Sequence, residues 1–222
     1  MADDRSPGGA DGASSVPRVV FFDLGNVVMP WSPRRLYAEL MPESELLDWF
    51  TSEVITVAVN EEMDRGRSHT EVLGEVALAH PDHAELIWAY WERWPETLAD
   101  PIPGTVAIID ELGAAGVPRY ALSNFATATF ERIVDDPRFD VLHRLDGWLL
   151  SGEVGVIKPD PAIYAIACER FEVDPAEAVF IDDRADNVEA AQRFGLRSIQ
   201  FIDSERLRAE LRALGLPLGP VS

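Results

Sequence analysis

The sequence predicts an α/β fold: a doubly wound, parallel sheet core with an all-helical segment inserted after its first strand. Three observations predict it. Short apolar runs rich in β-branched and aromatic residues recur along the chain, each closed by polar residues. Segments of helical periodicity separate them, the alternation that places helices on both faces of a parallel sheet. One long stretch, residues 31–97, breaks the alternation and holds helical patterns only.

Taken in order, residues 1–16 are rich in Gly, Ser, Asp and Pro and are expected to form a disordered tail. They contain no apolar h-region, so no secretory signal is expected. "RVVFF" (18–22) is a buried strand that stops at Asp23 and runs on into "LGNVV". In the helical stretch, "SPRRLYAELM" opens with Ser32 and Pro33, and "SHTEVLGEVALAH" opens with a capping box from Ser68 to Glu71. Trp49, Trp88, Trp91 and Trp94 lie here, with Trp31 at the boundary, and read as aromatic packing of a small bundle. A helix over 104–115 carries Val106, Ile109 and Leu112 at helical spacing. "VPRYALSN" (117–124) is a second strand, and "GWLLSGE" (147–153) contains a weaker one. "DPAIYAIACERF" (160–171) starts a helix with Asp160 as N-cap and Pro161 behind it. "EAVFID" (177–182) is a strand ending in Asp182 and Asp183. A helix over 185–195 closes on Gly195, followed by a strand over 196–201 and an amphipathic helix over 203–215. The expected organisation is a tail over 1–16, a core over 17–30 and 98–222, and a helical domain over 31–97.

Composition narrows the function classes. The 222 residues are 47% hydrophobic and 26% charged, suited to one core with a smaller attachment. No apolar run reaches the 18 residues or so that a membrane span needs. A formal charge of −20 argues against nucleic acid and anionic membranes, since both call for basic patches. A small molecule is the expected partner, and the sequence leaves monomer or homodimer open. The single cysteine, Cys168, cannot form an internal disulfide, which fits a cytoplasmic location, and it reads as core packing. His69, His80, His83 and His143 give no metal-ligand spacing. The chain holds 18 arginines and one lysine, Lys158. Either an arginine-rich composition left one lysine by chance, or a compact, rotatable ammonium is wanted there.

Ligands of open α/β sheets bind beyond the carboxyl ends of the strands. Here Asp23, then Ser123–Asn124, then Asp182–Asp183 stand at three such ends. Each alone reads equally as a cap or turn residue. Together they gather carboxylates on one sheet edge, where unpaired charges repel. A divalent cation relieves this, and oxygen-only ligands favour Mg²⁺. Lys158, just before the helix that starts near Asp160, can bring a second positive charge to the same edge.

"FFDLGNVV", "ALSNF", "IKPDPAIY" and "FIDDRADNVEAA", in that order, resemble the four motifs of the haloacid dehalogenase-like hydrolase superfamily, over roughly residues 18–203. The resemblance implies a Rossmann-like core with an inserted helical cap domain of the C1 type. It implies Asp23 as a nucleophile that forms a covalent intermediate, and Ser123 with the Asn124 backbone N–H as binders of the transferring group. Lys158 would steady the nucleophile and neutralise developing charge. Asp183, the Gly25 carbonyl and Asp23 would hold Mg²⁺, with Asp182 beside them as ligand or support, and Asn187 would orient a metal-bound water. Asn60, Arg65 and Trp31 are candidate contacts from the cap.

One departure stands out. Phosphatases of the family carry an acid two places after the nucleophile, where it donates and accepts the reaction's proton. Here that place holds Gly25, and Asn26 cannot act as an acid. "DLGN" resembles a bacterial subgroup that includes sugar-phosphate phosphatases, so the expected activity is Mg²⁺-dependent hydrolysis of a small phosphorylated metabolite. The alternative is a metal-free 2-haloacid dehalogenase with Asp23 as nucleophile, since halide needs no proton. Against it stand Asp182 and Asp183, which would repel a carboxylate substrate, and the absence of a Tyr-Gly-Thr segment. A slow binding or regulatory protein is a third class, disfavoured by the complete set of Asp23, Ser123, Lys158 and Asp183.

Overall fold

The computed structural model describes residues 16–41 and 45–220, so nearly all of the expected tail lies outside the described residues. Five strands form one sheet: β1 (Val19–Phe22), β2 (Arg119–Ser123), β3 (Gly147–Leu150), β4 (Ala178–Asp182) and β5 (Arg197–Gln200). Their order is β3-β2-β1-β4-β5 and every pair is parallel. All five expected strands are present, each shorter by a residue or more than its apolar run. β1 is central, and its two neighbours are the strands that end in the other polar motifs.

The sheet is buried on both faces, which is why its strands read as continuous apolar runs. Val20 and Phe22 join one apolar cluster with Ile108, Leu112, Leu207 and Leu211, from α6 (Pro103–Ala114) and α11 (Ser204–Ala213). Phe21 points the other way, into a cluster with Ile163, Tyr164, Ala190 and Ala191, from α9 (Pro161–Arg170) and α10 (Ala185–Phe194). Helices on both faces make the sheet doubly wound, as expected. Cys168 lies in the second cluster, where burial pushes its thiol up to about 11. That is the inert packing role read from the sequence.

Between β1 and α6 the described residues form the α-helices α1 (Pro33–Leu40), α2 (Glu45–Trp49), α3 (Val57–Asp64), α4 (His69–Ala79) and α5 (Ala84–Glu92). A π-helical turn, Phe50–Val54, continues α2. Aromatic rings organise them: Tyr37 meets Phe50 edge-on at 4.7 Å, and its hydroxyl donates to the Leu86 carbonyl at 3.0 Å. Ser68 caps α4 by accepting from the Glu71 N–H at 3.2 Å. The return half of the capping box differs from expectation, because the Ser68 hydroxyl donates to the Glu71 carboxylate. His80 and His83 pack against Trp49, which explains them without a metal.

The helical segment leaves and rejoins the sheet at one neck. Trp31 and Leu98 form an antiparallel bridge there, and Ala99 donates to the Pro30 carbonyl at 2.8 Å. A second tie joins α3 to the core, where Ser151 at the start of α8 (Ser151–Val154) donates to the Asp64 carbonyl at 2.6 Å. The segment therefore arches over the carboxyl ends of the strands. Among the described residues, no helix is long and apolar enough to cross a membrane.

Candidate active site

Parallel register sets the site. Phe22 pairs with Ile181 of β4 and Ala121 of β2, so the next residue, Asp23, emerges level with Asp182 and one step short of Ser123. The Asp23 N–H donates to the Ile181 carbonyl at 2.8 Å, which holds the ladder to its last rung. Asp23 Oδ1 accepts from the Leu24 N–H at 2.7 Å and the Ser123 hydroxyl at 2.7 Å, and lies 3.0 Å from Lys158 Nζ. None of the hydrogen bonds among the described residues reaches Oδ2, so one oxygen is held and the other is free to react. Burial pushes the Asp23 carboxyl up to about 6; Lys158 pulls it down, while Asp182 and Asp183 push it up.

Lys158 resolves the question its rarity raised. It is 1% exposed, and its ammonium meets three acceptors: Asp182 Oδ2 at 2.6 Å, the Leu122 carbonyl at 2.9 Å and Asp23 Oδ1 at 3.0 Å. Three N–H donors thus meet three oxygens, one on Asp23 and one on each of the two strands that flank β1. A planar guanidinium does not offer that tetrahedral arrangement. Burial works against the Lys158 charge, but Asp182 and Asp23 outweigh it and hold its pKa above the ordinary lysine value. Asn124 clamps the lysine backbone, donating to the Lys158 carbonyl at 3.0 Å and accepting from its N–H at 2.7 Å. This side-chain role for Asn124 was not expected from the sequence.

The two acids of β4 differ. Asp182 is fully buried, and both its oxygens are engaged: by Lys158, by Asn187 Nδ2 at 3.0 and 3.1 Å, and by the Arg184 N–H at 2.9 Å. Asp183 is half-buried and accepts one long bond, 3.3 Å, from Asn26 Nδ2. Burial and the neighbouring Asp182 raise its pKa. Asn26 itself has φ +57°, a left-handed turn that asparagine tolerates, and its Oδ1 accepts from the Trp31 N–H at 3.0 Å. Oxygens of Asp23, Asp182 and Asp183 all lie within 4.8 Å of one another. Asn187 Oδ1 is buried with no partner among the described residues. Three clustered carboxylates and an orphaned amide oxygen are a donor set that fits a hard cation and its water.

The cavity above these groups is walled by the helical segment and its neck. Asn60 and Trp31 line it as expected, joined by Asp64, Glu61 and Trp94. Arg65 does not: it turns to Glu61 and Glu62 and lines a neighbouring groove. Trp94, read from the sequence as bundle packing, meets Phe125 edge-on at 5.2 Å and forms part of the cavity wall. Arg184 also lines it while paired to Asp186 at 2.7 Å and to Glu61 at 3.3 Å. Asp64, Trp94 and Arg184 lie outside the four motifs' functional positions. Asp64 had one signal, because it stands four residues after Asn60 on α3 and so shares its face.

A family model described as haloacid dehalogenase-like hydrolase matches residues 17–195. The chain is 25% identical over 203 residues to a sesquiterpene phosphatase of Aspergillus oryzae, covering 89% of this chain and 96% of that one. It is 29% identical over 98 residues to the (S)-2-haloacid dehalogenase 4A of Burkholderia cepacia, covering 44% of this chain and 42% of that one. The chain spans less than half the length of several of the curated relatives it matches. Among solved structures, it superposes with a TM-score of 0.65 on a wild-type enzyme from Bacteroides thetaiotaomicron in complex with magnesium and inorganic phosphate. That match has 19% identity and covers 86% of this chain and 98% of the other.

Proposed function

The chain belongs to the haloacid dehalogenase-like hydrolases, and from that premise we propose that it is a magnesium-dependent phosphatase of small phosphorylated metabolites, sugar phosphates foremost, working through an aspartyl phosphate on Asp23. The observation that carries this is the charge balance of the strand ends. Three carboxylates lie within reach of one another and only one ammonium answers them. A phosphate dianion meets net repulsion there unless a divalent cation is present. Asp23, the Gly25 carbonyl and Asp183 are the ligands we assign. Both oxygens of Asp182 already serve Lys158, Asn187 and Arg184, which supports a holding role for it. Asn187 Oδ1, buried and without a partner among the described residues, would accept from a water on the cation. Magnesium, when bound, neutralises charge on the transferring group.

The chain's own residues do the rest. Ser123 and Lys158 hold Asp23 through Oδ1, which presents Oδ2 for in-line attack on phosphorus. The Ser123 hydroxyl and the Asn124 backbone N–H take the phosphoryl oxygens, and Lys158 stabilises the charge that develops there. The helical segment over 31–97 acts as a cap domain that excludes water and selects the substrate. The full-length similarity to a phosphatase supports this reading. The sequence similarity to the Burkholderia cepacia haloacid dehalogenase covers under half of either chain.

The test is a panel of phosphorylated metabolites and 2-haloacids, run with Mg²⁺ and with EDTA. Phosphate release that stops with EDTA and with Asp23→Asn is the expected result, the substitution lowering turnover by roughly 10⁴-fold or more. Halide release that survives EDTA would overturn the reading in favour of the dehalogenase.

A further inference from the structure

The place two residues beyond Asp23 is not merely without an acid; it is open. A Cβ built on Gly25 would meet nothing within 4 Å. The proton must therefore come from elsewhere in the cavity, and one other carboxyl is built for it. We propose that Asp64, at the end of α3, is the general acid and base of this site, an inference that rests on the phosphatase reading above.

Asp64 is 5% exposed and lines the same cavity as Asp23, Gly25 and Ser123. It is held from both sides. Its Oδ2 accepts from Asn60 Nδ2 at 2.8 Å, and its backbone carbonyl takes the Ser151 hydroxyl. Asn60 is fixed in turn by the Tyr90 hydroxyl, which donates to its Oδ1 at 2.9 Å. Such a shell gives the carboxyl one position. No ion pair among the described residues reaches Asp64. The charged groups that bear on it are Glu61 of its own helix, itself paired with Arg65 and Arg184, and Asp23 across the cavity. α8 reaches Asp64 through the neutral Ser151, and α5 through the neutral Tyr90 by way of Asn60. Burial pushes its pKa up to about 7, against the pull of the Ala126 N–H and Asn60. An acid poised there both gives and takes a proton at neutral pH.

The steps balance. Asp23 Oδ2 bonds to phosphorus, the bond from phosphorus to the ester oxygen breaks, and the Asp64 proton goes to that oxygen, so the alcohol leaves neutral. Asp64, now a carboxylate, takes a proton from water as the water oxygen bonds to phosphorus. The bond between phosphorus and Asp23 breaks, returning both carboxyls to their starting states and releasing phosphate.

The experiment compares single-turnover alcohol release from p-nitrophenyl phosphate, whose leaving group needs no proton, with the best primary alkyl phosphate of the metabolite panel. Asp64→Asn is expected to slow the alkyl substrate by about 10²–10⁴-fold, to leave nitrophenol release within a few-fold, and to let labelled phosphoenzyme accumulate. An equal loss on both substrates, or no loss on the alkyl ester, would overturn the proposal. Should Asp64→Asn not fold, the unaltered protein carries the test. Its dependence on leaving-group basicity is expected to steepen as pH rises through about 7, and a slope that does not change would overturn the proposal. Failure of the phosphatase reading looks different: no ester releases phosphate, or Asp23→Asn keeps the activity, and the proposal falls with it.

Discussion

The sheet side of the cavity carries its charges in contact with one another, whereas the helical side carries a buried carboxyl, Asp64, that no ion pair among the described residues reaches. On the sheet side, Lys158 binds Asp23 and Asp182 together, and Asp182 in turn takes Asn187 and the Arg184 N–H. On the helical side, the polar groups that bear on Asp64 from among the described residues include the neutral Asn60 amide and Ala126 backbone. The difference has a chemical meaning. A carboxylate gripped at one oxygen by an ammonium and a hydroxyl is fixed in orientation, which suits a nucleophile and a cation-holding platform. A carboxyl left to neutral donors changes its charge near neutral pH, which suits a proton carrier.

The strongest way to break this contrast is to remove the cation. Lys158→Met leaves Asp23 and Asp182 buried side by side, and loss of about 3–5 kcal/mol of stability is expected in urea unfolding. Turnover is expected to fall by about 10³-fold in the folded fraction. Lys158→Arg is expected not to restore it, because a guanidinium does not fit the three-acceptor slot between Leu122, Asp182 and Asp23. A stable, active Lys158→Met protein would show that charge pairing is not what holds the sheet side.

A second variant sharpens the contrast by moving the proton carrier across the cavity. The open space at Gly25 accepts a side chain, and its carbonyl is retained in any substitution. Gly25→Asp introduced into Asp64→Asn is expected to recover about 10²-fold of the lost rate on alkyl phosphates. On p-nitrophenyl phosphate it is expected to change little. Steady-state kcat/KM on the two substrates measures both.

The same contrast explains what the sequence made legible. Asp23, Ser123 and Asp182 each end an apolar strand within a contiguous motif, so a linear reading brings them to one sheet edge. Lys158 was legible as one lysine among arginines, though only the Leu122 carbonyl and the two carboxylates show why. The helical wall has no such motif. Asp64 stands in "NEEMDRGR", a stretch that offers Asn60 and Arg65 as candidate contacts and no motif that marks Asp64. Its burial comes from residues far along the chain, Ser151 among them, 87 positions away. Neighbouring residues then part company: Asp64 turns into the cavity while Arg65 turns to its own helix's acids. Trp94 reads as a bundle aromatic, yet it lines the cavity beside Trp31, because the neck between Trp31 and Leu98 folds this part of the chain over the strand ends.

The smallest expected effect isolates the charge state of Asp64 in the fold. Its carboxyl is raised from 3.8 to about 7 by burial, so between those values the folded protein holds a proton that the unfolded chain has released. The unfolded state then binds fewer protons, and stability from this group falls as pH rises. It is fully present below about pH 4 and spent above about pH 7. Other carboxylates titrate over part of the same range, and Glu111, held near 2 by Arg208, contributes with the opposite sign. The difference between the protein and Asp64→Asn cancels these shared terms. From pH 5 to pH 6 the protein is expected to lose about 1 kcal/mol relative to Asp64→Asn, read by urea unfolding at each pH. A difference that stays flat would mean that Asp64 is already ionised in the fold. The helical side would then hold a carboxylate with no proton to give, and the division of labour between the two would fail.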